Sequence, residues 1–191
     1  MSHQLPHCPW RAERNIRVEA PRLRTAQQYS PLCVQRLDAL GYIERLGGPG
    51  LEEATRLAIL NANYLRALLW ESYELPFDGP SMHECVFSDR TLTPHGVQTL
   101  DLAKRLLDYG FYAPTIYFPL VVKGAIMVEP TEAESKATLD EFVAAMRAIA
   151  EEARVDPQTV RTAPHRTKLA RLDETRAARR PVLRWRPVTT G

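Results

Sequence analysis

Lysine is scarce in this chain of 191 residues, which has four lysines among its 25 Lys and Arg residues. Any chemistry that needs a lysine amine must therefore use one of these four side chains. The surrounding patterns place Lys104 in an amphipathic helix and Lys123 in a hairpin turn. They place Lys136 in the first turns of another helix and Lys168 in a basic tail. In all four settings a solvated surface lysine is the expectation, and not a cofactor lysine.

Cysteines and long apolar runs are also few. The three cysteines, Cys8, Cys33 and Cys85, are scattered, so no disulfide framework is predicted and a reducing compartment is expected. No apolar run is long enough to span a bilayer, so no membrane association is predicted. The Arg-rich N-terminus lacks an apolar core and is broken by prolines, which disfavours a secretory signal or a transit peptide. The cytoplasm is the expected location, or the mitochondrial matrix in a eukaryote.

The apolar residues, 45% of the chain, suffice for one substantial core. Apolar residues at helical spacing alternate along the chain with short β-branched stretches. The predicted helices are 31–43, 51–73, 100–109 and one from 131 onward; the predicted strands are 83–88, 115–118 and 125–128. Few strands with helices between them predict a small two-layer α+β domain with an antiparallel or mixed sheet.

The start of the fourth helix carries a capping-box pattern. Thr131 is followed three residues later by Glu134, so the Thr131 hydroxyl is predicted to cap the helix N-terminus. Asp156 followed by Pro157 predicts a further helix start. Gly110 stands where a glycine that ends the third helix is expected.

Candidate chemistry is sparse. His83, Cys85 and His95 do not form a recognised zinc pattern, so no metal site is predicted. Cys85 on a strand is expected to be a small buried apolar residue. Glu84 and Glu129 each occupy a predicted strand position, and each could face a pocket as an acid or base. The alternative is that Glu84 points to solvent and that Glu129 helps to position the following helix, and for Glu129 this alternative is preferred.

The tail from Arg161 to Arg186 is strongly basic, with nine Arg or Lys residues against Asp173 and Glu174. Apart from Trp185 it has no interleaved aromatic residue, and the net charge of the whole chain is only +2. No nucleic-acid partner is therefore predicted. An arm that contacts another subunit is the preferred interpretation.

Several stretches now match one known family in order along residues 41–187. They include GYIERLG from Gly41, LNANYL from Leu60, MHE from Met82, AKRLLDYGF from Ala103, APT from Ala113, VEPTE from Val128, SK from Ser135, APH from Ala163 and LDETRAARRP from Leu172. Together they resemble the C-terminal region of the P-protein of the glycine cleavage system, the decarboxylating glycine dehydrogenase. The resemblance is to subunit 2 of its two-subunit form.

The resemblance implies the small C-terminal domain of a fold-type-I pyridoxal-phosphate enzyme. Such an enzyme decarboxylates glycine and transfers the aminomethyl group to the lipoyl arm of the H-protein. The implied partners are therefore a cofactor domain or another P-protein subunit, the lipoyl H-protein and glycine. His83, Tyr112, Thr115 and Glu129 are the residues expected near the wall of the active site. The basic tail could also dock the acidic H-protein.

The chain departs from the family where the cofactor is held. The family's cofactor lysine follows a histidine, but no lysine follows a histidine here, and no Gly-rich phosphate loop is present. The chain by itself is therefore expected to bind no pyridoxal phosphate covalently and to contain no catalytic residue. Tyr112 stands where many relatives have a histidine, and tyrosine titrates far above histidine.

The expected organisation is a poorly ordered segment that does not resemble the family at 1–40, a helical connector at 41–80, and a C-terminal domain with its basic tail at 81–191. Two hypotheses about function follow. The chain is either a segment of a glycine decarboxylase that works with a separate cofactor domain, or a non-catalytic truncated remnant or subunit-interaction module.

Overall fold

The structure, a computed structural model, describes residues 31–184, with side chains from Gln35 onward. The described residues divide into two compact units, with the boundary between Glu53 and Ala54. Helix α1 extends over Pro31–Leu69, and Gly47 within it has the non-helical dihedral angles φ 60° and ψ −177°. The predicted break thus occurs at Gly47, but the residues on both sides of it are helical. The expected segment 1–40 lies mostly outside the described residues.

The second unit contains a three-stranded sheet and the remaining helices. The strands are β1 (Cys85–Ser88), β2 (Thr115–Ile116) and β3 (Ala125–Val128), and the helices are α2 (Thr99–Asp108), α3 (Lys136–Val155), α4 (Pro157–Thr162) and α5 (Glu174–Arg179). The strand order is β1-β3-β2, and both pairings are antiparallel. The predicted small α+β fold with an antiparallel sheet is confirmed. Within residues 31–184, no helix is both long and apolar enough to cross a bilayer.

The two faces of the sheet differ. Phe87 on β1 and Ile126 on β3 are fully buried and belong to a core that also includes residues of α1, α2 and α3. Successive side chains of a strand point to opposite faces. Val86 and Met127, which are paired in the β1–β3 register, therefore lie on the other face, where they are only half-buried. We call this second face the open face of the sheet.

The start of α3 differs from the prediction. The helix begins at Lys136, and its N-cap is Ser135, whose hydroxyl accepts a hydrogen bond from the Thr138 amide at 3.1 Å. Thr131 instead closes a turn, in which its hydroxyl accepts a 3.4 Å bond from the amide of Ala133. The predicted capping box at Thr131 is wrong because a second capping residue follows four positions later. The predicted apolar face of α3 is buried as expected, at Leu139, Phe142, Val143, Met146 and Ile149.

A buried carboxylate holds the start of α2 against the turn between β2 and β3. Asp89 accepts hydrogen bonds from the backbone amide and the hydroxyl of Thr99, at 3.0 and 2.8 Å. The amide of Asp89 donates in turn to the carbonyl of Gly124 at 3.0 Å. Gly124 has φ +64°, and a Cβ atom there would overlap the Asp89 carboxylate. This corner therefore requires glycine.

A second polar cluster joins α2, α3 and the chain after α4. Arg105 donates two 2.9 Å bonds to the carboxylate of Glu152 and one, also of 2.9 Å, to Asp108. The other oxygen of Asp108 accepts from the amides of His165 and Arg166, at 2.6 and 2.7 Å. Burial by itself would raise the pKa of Asp108, but these two amides and the Arg105 guanidinium outweigh it and lower the pKa.

Candidate functional site

Three of the four residues predicted at the active-site wall line one cleft of about 320 Å³ in the second unit. Tyr112 and Thr115 come from the end of the α2–β2 connection and the start of β2, and Glu129 follows β3. Leu65 and Phe142 contribute to the apolar side of the cleft. Thr115 of the APT motif and Glu129 of the VEPTE motif are fourteen positions apart in the sequence and meet here, together with Tyr112, which directly precedes the APT motif.

Local conformation explains how Tyr112 reaches the cleft. Gly110, with φ +85°, turns the chain away from α2, as the sequence predicts. Phe111 then packs edge-on against Phe142 of α3, with 5.3 Å between the ring centroids. Because Phe111 anchors the connection, the next side chain points outward, and Tyr112 is 92% exposed. The phenol is thus accessible from outside the domain.

The fourth predicted residue, His83, lies beside the cleft and not in its lining. Its Nε2 atom is 3.9 Å from Oε2 of Glu84. Extending the β1–β3 register, in which Cys85 pairs with Val128, by one position places Glu84 opposite Glu129. One nitrogen or oxygen atom from each of His83, Glu84 and Glu129 lies within 4.8 Å of the others. Glu129 therefore belongs both to this cluster and to the cleft.

The three residues considered as zinc ligands from the sequence do not come together in the described part of the fold. Cys85 faces the core with no exposed surface, and burial raises the pKa of its thiol to about 12. His95 is exposed in a short 3₁₀ turn. Among residues 35–184, the group of potential metal ligands that comes together is His83, Glu84 and Glu129. The prediction that Cys85 is a small buried apolar residue is confirmed.

The cleft has hydroxyl and carboxylate groups but no cationic side chain. Its polar side chains are Tyr112, Thr115, Glu129, Glu134 and Thr138, and none of its lining residues is Lys, Arg or His. Carboxylates and hydroxyls accept hydrogen bonds from an ammonium group, whereas a phosphate needs donors or positive charge. The cleft by itself therefore suits an amine better than a phosphate.

The four lysines are elsewhere. Lys136 is exposed on α3 and donates a 2.6 Å bond to Asp140, and the hydrogen bonds to Asp140 and Tyr64 raise its pKa. Lys123 and Lys168 are exposed, and Lys104 is half-buried on α2. None of the four lines the cleft.

Comparison with known proteins identifies the same family as the sequence motifs around the cleft. A family model described as "Glycine dehydrogenase, C-terminal domain" matches residues 54–169, which include all four predicted wall residues. The chain belongs to the glycine dehydrogenase C-terminal domain family. The resemblance predicted from the sequence is thereby confirmed, and the matched range falls within the second unit.

Individual members of this family are similar over most of the chain. A protein of Bacillus licheniformis described as a probable glycine dehydrogenase (decarboxylating) subunit 2 is 56% identical over 147 residues, which are 77% of this chain and 30% of that protein. Proteins with the same description from Staphylococcus haemolyticus and Halalkalibacterium halodurans are 54% and 52% identical, over 78% and 79% of this chain. The chain spans 30–31% of the length of these relatives.

Reasoning from the sequence did not single out two residues of this region. Glu84 was left either in a pocket or in solvent; its side chain is 37% exposed and lies beside His83. Glu134 was assigned to a capping box, but it lines the cleft. An antiparallel pairing of the strand that follows the MHE motif with the strand that ends at the VEP motif is the signal that could have placed Glu84 beside Glu129.

Proposed function

We propose that this chain supplies the C-terminal domain of a glycine decarboxylase of the glycine cleavage system. In that reaction glycine loses carbon dioxide, and its aminomethyl group passes to the lipoyl arm of the H-protein. The proposal is carried by one observation: Thr115 and Glu129, from two motifs of the glycine dehydrogenase C-terminal domain family, converge on one cleft with the adjoining Tyr112.

Pyridoxal phosphate would supply the electron sink for this decarboxylation. The residues of this chain do not fit the cofactor by themselves, because the cleft contains neither a lysine nor a cationic group for the phosphate. We therefore place the cofactor on another part of the enzyme. In this arrangement the chain contributes a wall, and no residue of the chain is assigned a covalent role.

The surface next to the cleft is suited to being covered. Large apolar side chains are exposed in two loops: Phe77 and Met82, which line a groove with Val86 of the open face, and Tyr117, Phe118, Leu120 and Val121 between β2 and β3. Extensive exposed apolar surface typically marks a contact region. The proposed occupant is the cofactor-holding part of a glycine decarboxylase, or its other subunit. Its docking would exclude water from the cleft.

The wall residues would then position substrate. The carboxylate of Glu129 and the hydroxyl of Thr115 can accept hydrogen bonds from the amine of glycine, and Tyr112 can donate or accept one. His83, next to Glu129, would hold that carboxylate in place. The exposed basic arm formed by 166–184 is proposed to contact the partner subunit or the acidic H-protein. The assembled enzyme is proposed to work in the cytoplasm, or in the mitochondrial matrix in a eukaryote.

Complementation tests the proposal. The Bacillus licheniformis relative is shortened by removing its matched C-terminal region. The shortened protein is mixed with the full chain, the partner subunit of that relative and lipoylated H-protein. Glycine-dependent release of carbon dioxide is then measured. We expect activity to return, and to fall at least about tenfold with Glu129→Ala, since a lost hydrogen bond to a charged group costs about 1.5–3 kcal/mol. Glu151→Ala, an exposed residue of α3, is the matched control and should leave the activity unchanged.

Two other outcomes are informative. A complex that forms without activity would favour a non-catalytic subunit-interaction module or remnant. A chimera, in which residues of this chain replace the matched region within the relative, guards against failure of the shortened protein to fold. An inactive but folded chimera would overturn the proposal.

A further inference from the structure

Two carboxylates lie close together at one end of the β1–β3 strand pair, on the open face of the sheet. Glu84 precedes β1 and Glu129 follows β3, so the antiparallel register extended by one position sets them opposite each other, with carboxylate oxygens within 4.8 Å. Like charges directly opposite in a strand pair are destabilising. A cation between or beside the two carboxylates would offset this repulsion.

The described protein provides no strong cation for this pair. Within residues 35–184, Glu129 has no hydrogen-bond donor and no ion-pair partner, and Glu84 pairs only with the imidazole of His83, at 3.9 Å. Arg66 lines the groove that contains His83 and Glu84, but in the described part of the chain it lies within 4.0 Å of neither carboxylate. The two negative charges are therefore largely uncompensated.

The three side chains lie close enough together to bind one metal ion after small rotations. One ligand atom from each of His83, Glu84 and Glu129 lies within 4.8 Å of the other two. Zinc binds imidazole nitrogen and carboxylate oxygen at about 2.0–2.2 Å in a tetrahedral arrangement, so two ligands of one ion lie roughly 3.3–3.6 Å apart. Rotation of the exposed His83 and Glu129 side chains and of the partly exposed Glu84 side chain can bring the three ligand atoms that close.

We propose that His83, Glu84 and Glu129 bind one divalent first-row metal ion, with Zn²⁺ or Mn²⁺ as the chemical match for one imidazole and two carboxylates. Three protein ligands leave at least one coordination position open. Because Glu129 also lines the cleft, the ion would lie next to the cleft. A carboxylate or another oxygen donor is the ligand class that such an ion would accept there.

The proposal rests on the geometry of the chain itself and not on its proposed function, so a test on the isolated full chain is decisive. Zn²⁺ is titrated calorimetrically into a variant with His3→Ala, His7→Ala and Cys8→Ser, because those N-terminal residues are independent potential ligands. One equivalent of Zn²⁺ is expected to bind. Manganese binding, followed by the loss of free Mn²⁺ signal in electron paramagnetic resonance, provides a second readout.

Substitutions then assign the ligands. In the same background, Glu129→Gln and His83→Ala are each expected to weaken binding at least about tenfold, as loss of a ligand removes a charge or a coordinating atom. His95→Ala and Glu151→Gln, both exposed and outside the cluster, should leave the affinity unchanged. Circular dichroism confirms that each variant is folded. Equal affinity in all variants, or no binding tighter than about 1 mM, would overturn the proposal.

Discussion

Two charged clusters within the second unit differ in how completely their groups are paired. In the first, Arg105 bridges Asp108 and Glu152, and the side chain of Asp108 is only 1% exposed. In the second, the side chains of His83 and Glu84 are 67% and 37% exposed, and Glu129 has no partner among the described residues. The first cluster satisfies its own charges, whereas the second leaves hydrogen-bonding and coordinating capacity unused.

This difference in pairing means that the first cluster contributes to folding, whereas the second is available for binding. A buried charge that lost its partner would cost several kcal/mol, so the carboxylate of Asp108 must be satisfied within the domain. An exposed carboxylate costs little while water solvates it, so Glu129 can remain available to a ligand. We therefore expect substitutions in closed polar sites to reduce stability, and substitutions at the open face to change binding instead.

The largest effect is expected at the corner formed by Asp89, Thr99 and Gly124. Gly124→Ala places a methyl group on the Asp89 carboxylate at a left-handed backbone position. Strain and overpacking together should lower the free energy of unfolding by on the order of 4 kcal/mol. Urea unfolding of the full chain measures the change.

Gly79→Ala is the matched control for that substitution. Gly79 also has a positive φ, +91°, but a Cβ atom there would meet open space. Only the backbone strain remains, so the loss should be about 1–3 kcal/mol. Equal losses for the two variants would show that the contact with Asp89 is not what excludes a side chain at Gly124.

A smaller effect is expected from Asp108→Asn, which should cost about 3 kcal/mol near neutral pH because Arg105 loses one of its two charged partners. The pKa of Asp108 is lowered in the folded protein. Its stabilising contribution is therefore complete above the unfolded pKa of about 3.9 and is lost as the pH falls through the lower folded value.

The dependence of stability on pH checks this second prediction. Urea midpoints measured from about pH 6 down to about pH 2.5 should fall less steeply for Asp108→Asn than for the unmodified chain. Glu152 will still contribute, because its hydrogen bond to Arg105 lowers its pKa as well. Identical slopes would contradict a role for the ionised Asp108 in stability.

The smallest effect is expected at the open face. Glu129→Gln removes one of two like charges that face each other, so the thermal midpoint without added metal should rise, by on the order of 1 °C. Differential scanning calorimetry in a chelating buffer measures it. A clear fall in the midpoint would mean that Glu129 has a structural partner, and the contrast between the two clusters would fail.

Sequence patterns predicted the elements better than their ends. Ala125–Val128 was predicted with the bounds that the structure has, since its β-branched residues lie in the centre of the sheet. The start of α3 was misplaced because Thr131 and Ser135 are both good capping residues and only packing selects between them. The family resemblance led to three of the cleft residues, but it did not indicate that His83 would stand next to Glu84 and Glu129.

What the sequence by itself determined is the family, the α+β class and the scarcity of lysine, because motifs, hydrophobic periodicity and composition are local properties of the chain. Only the tertiary structure decided which charges find partners. Antiparallel pairing of β1 with β3 brings together Glu84 and Glu129, which are 45 positions apart, and the packing of α2 against α3 lets Arg105 bind Glu152. Distances across a sheet or between helices depend on register and packing, and no local pattern encodes them.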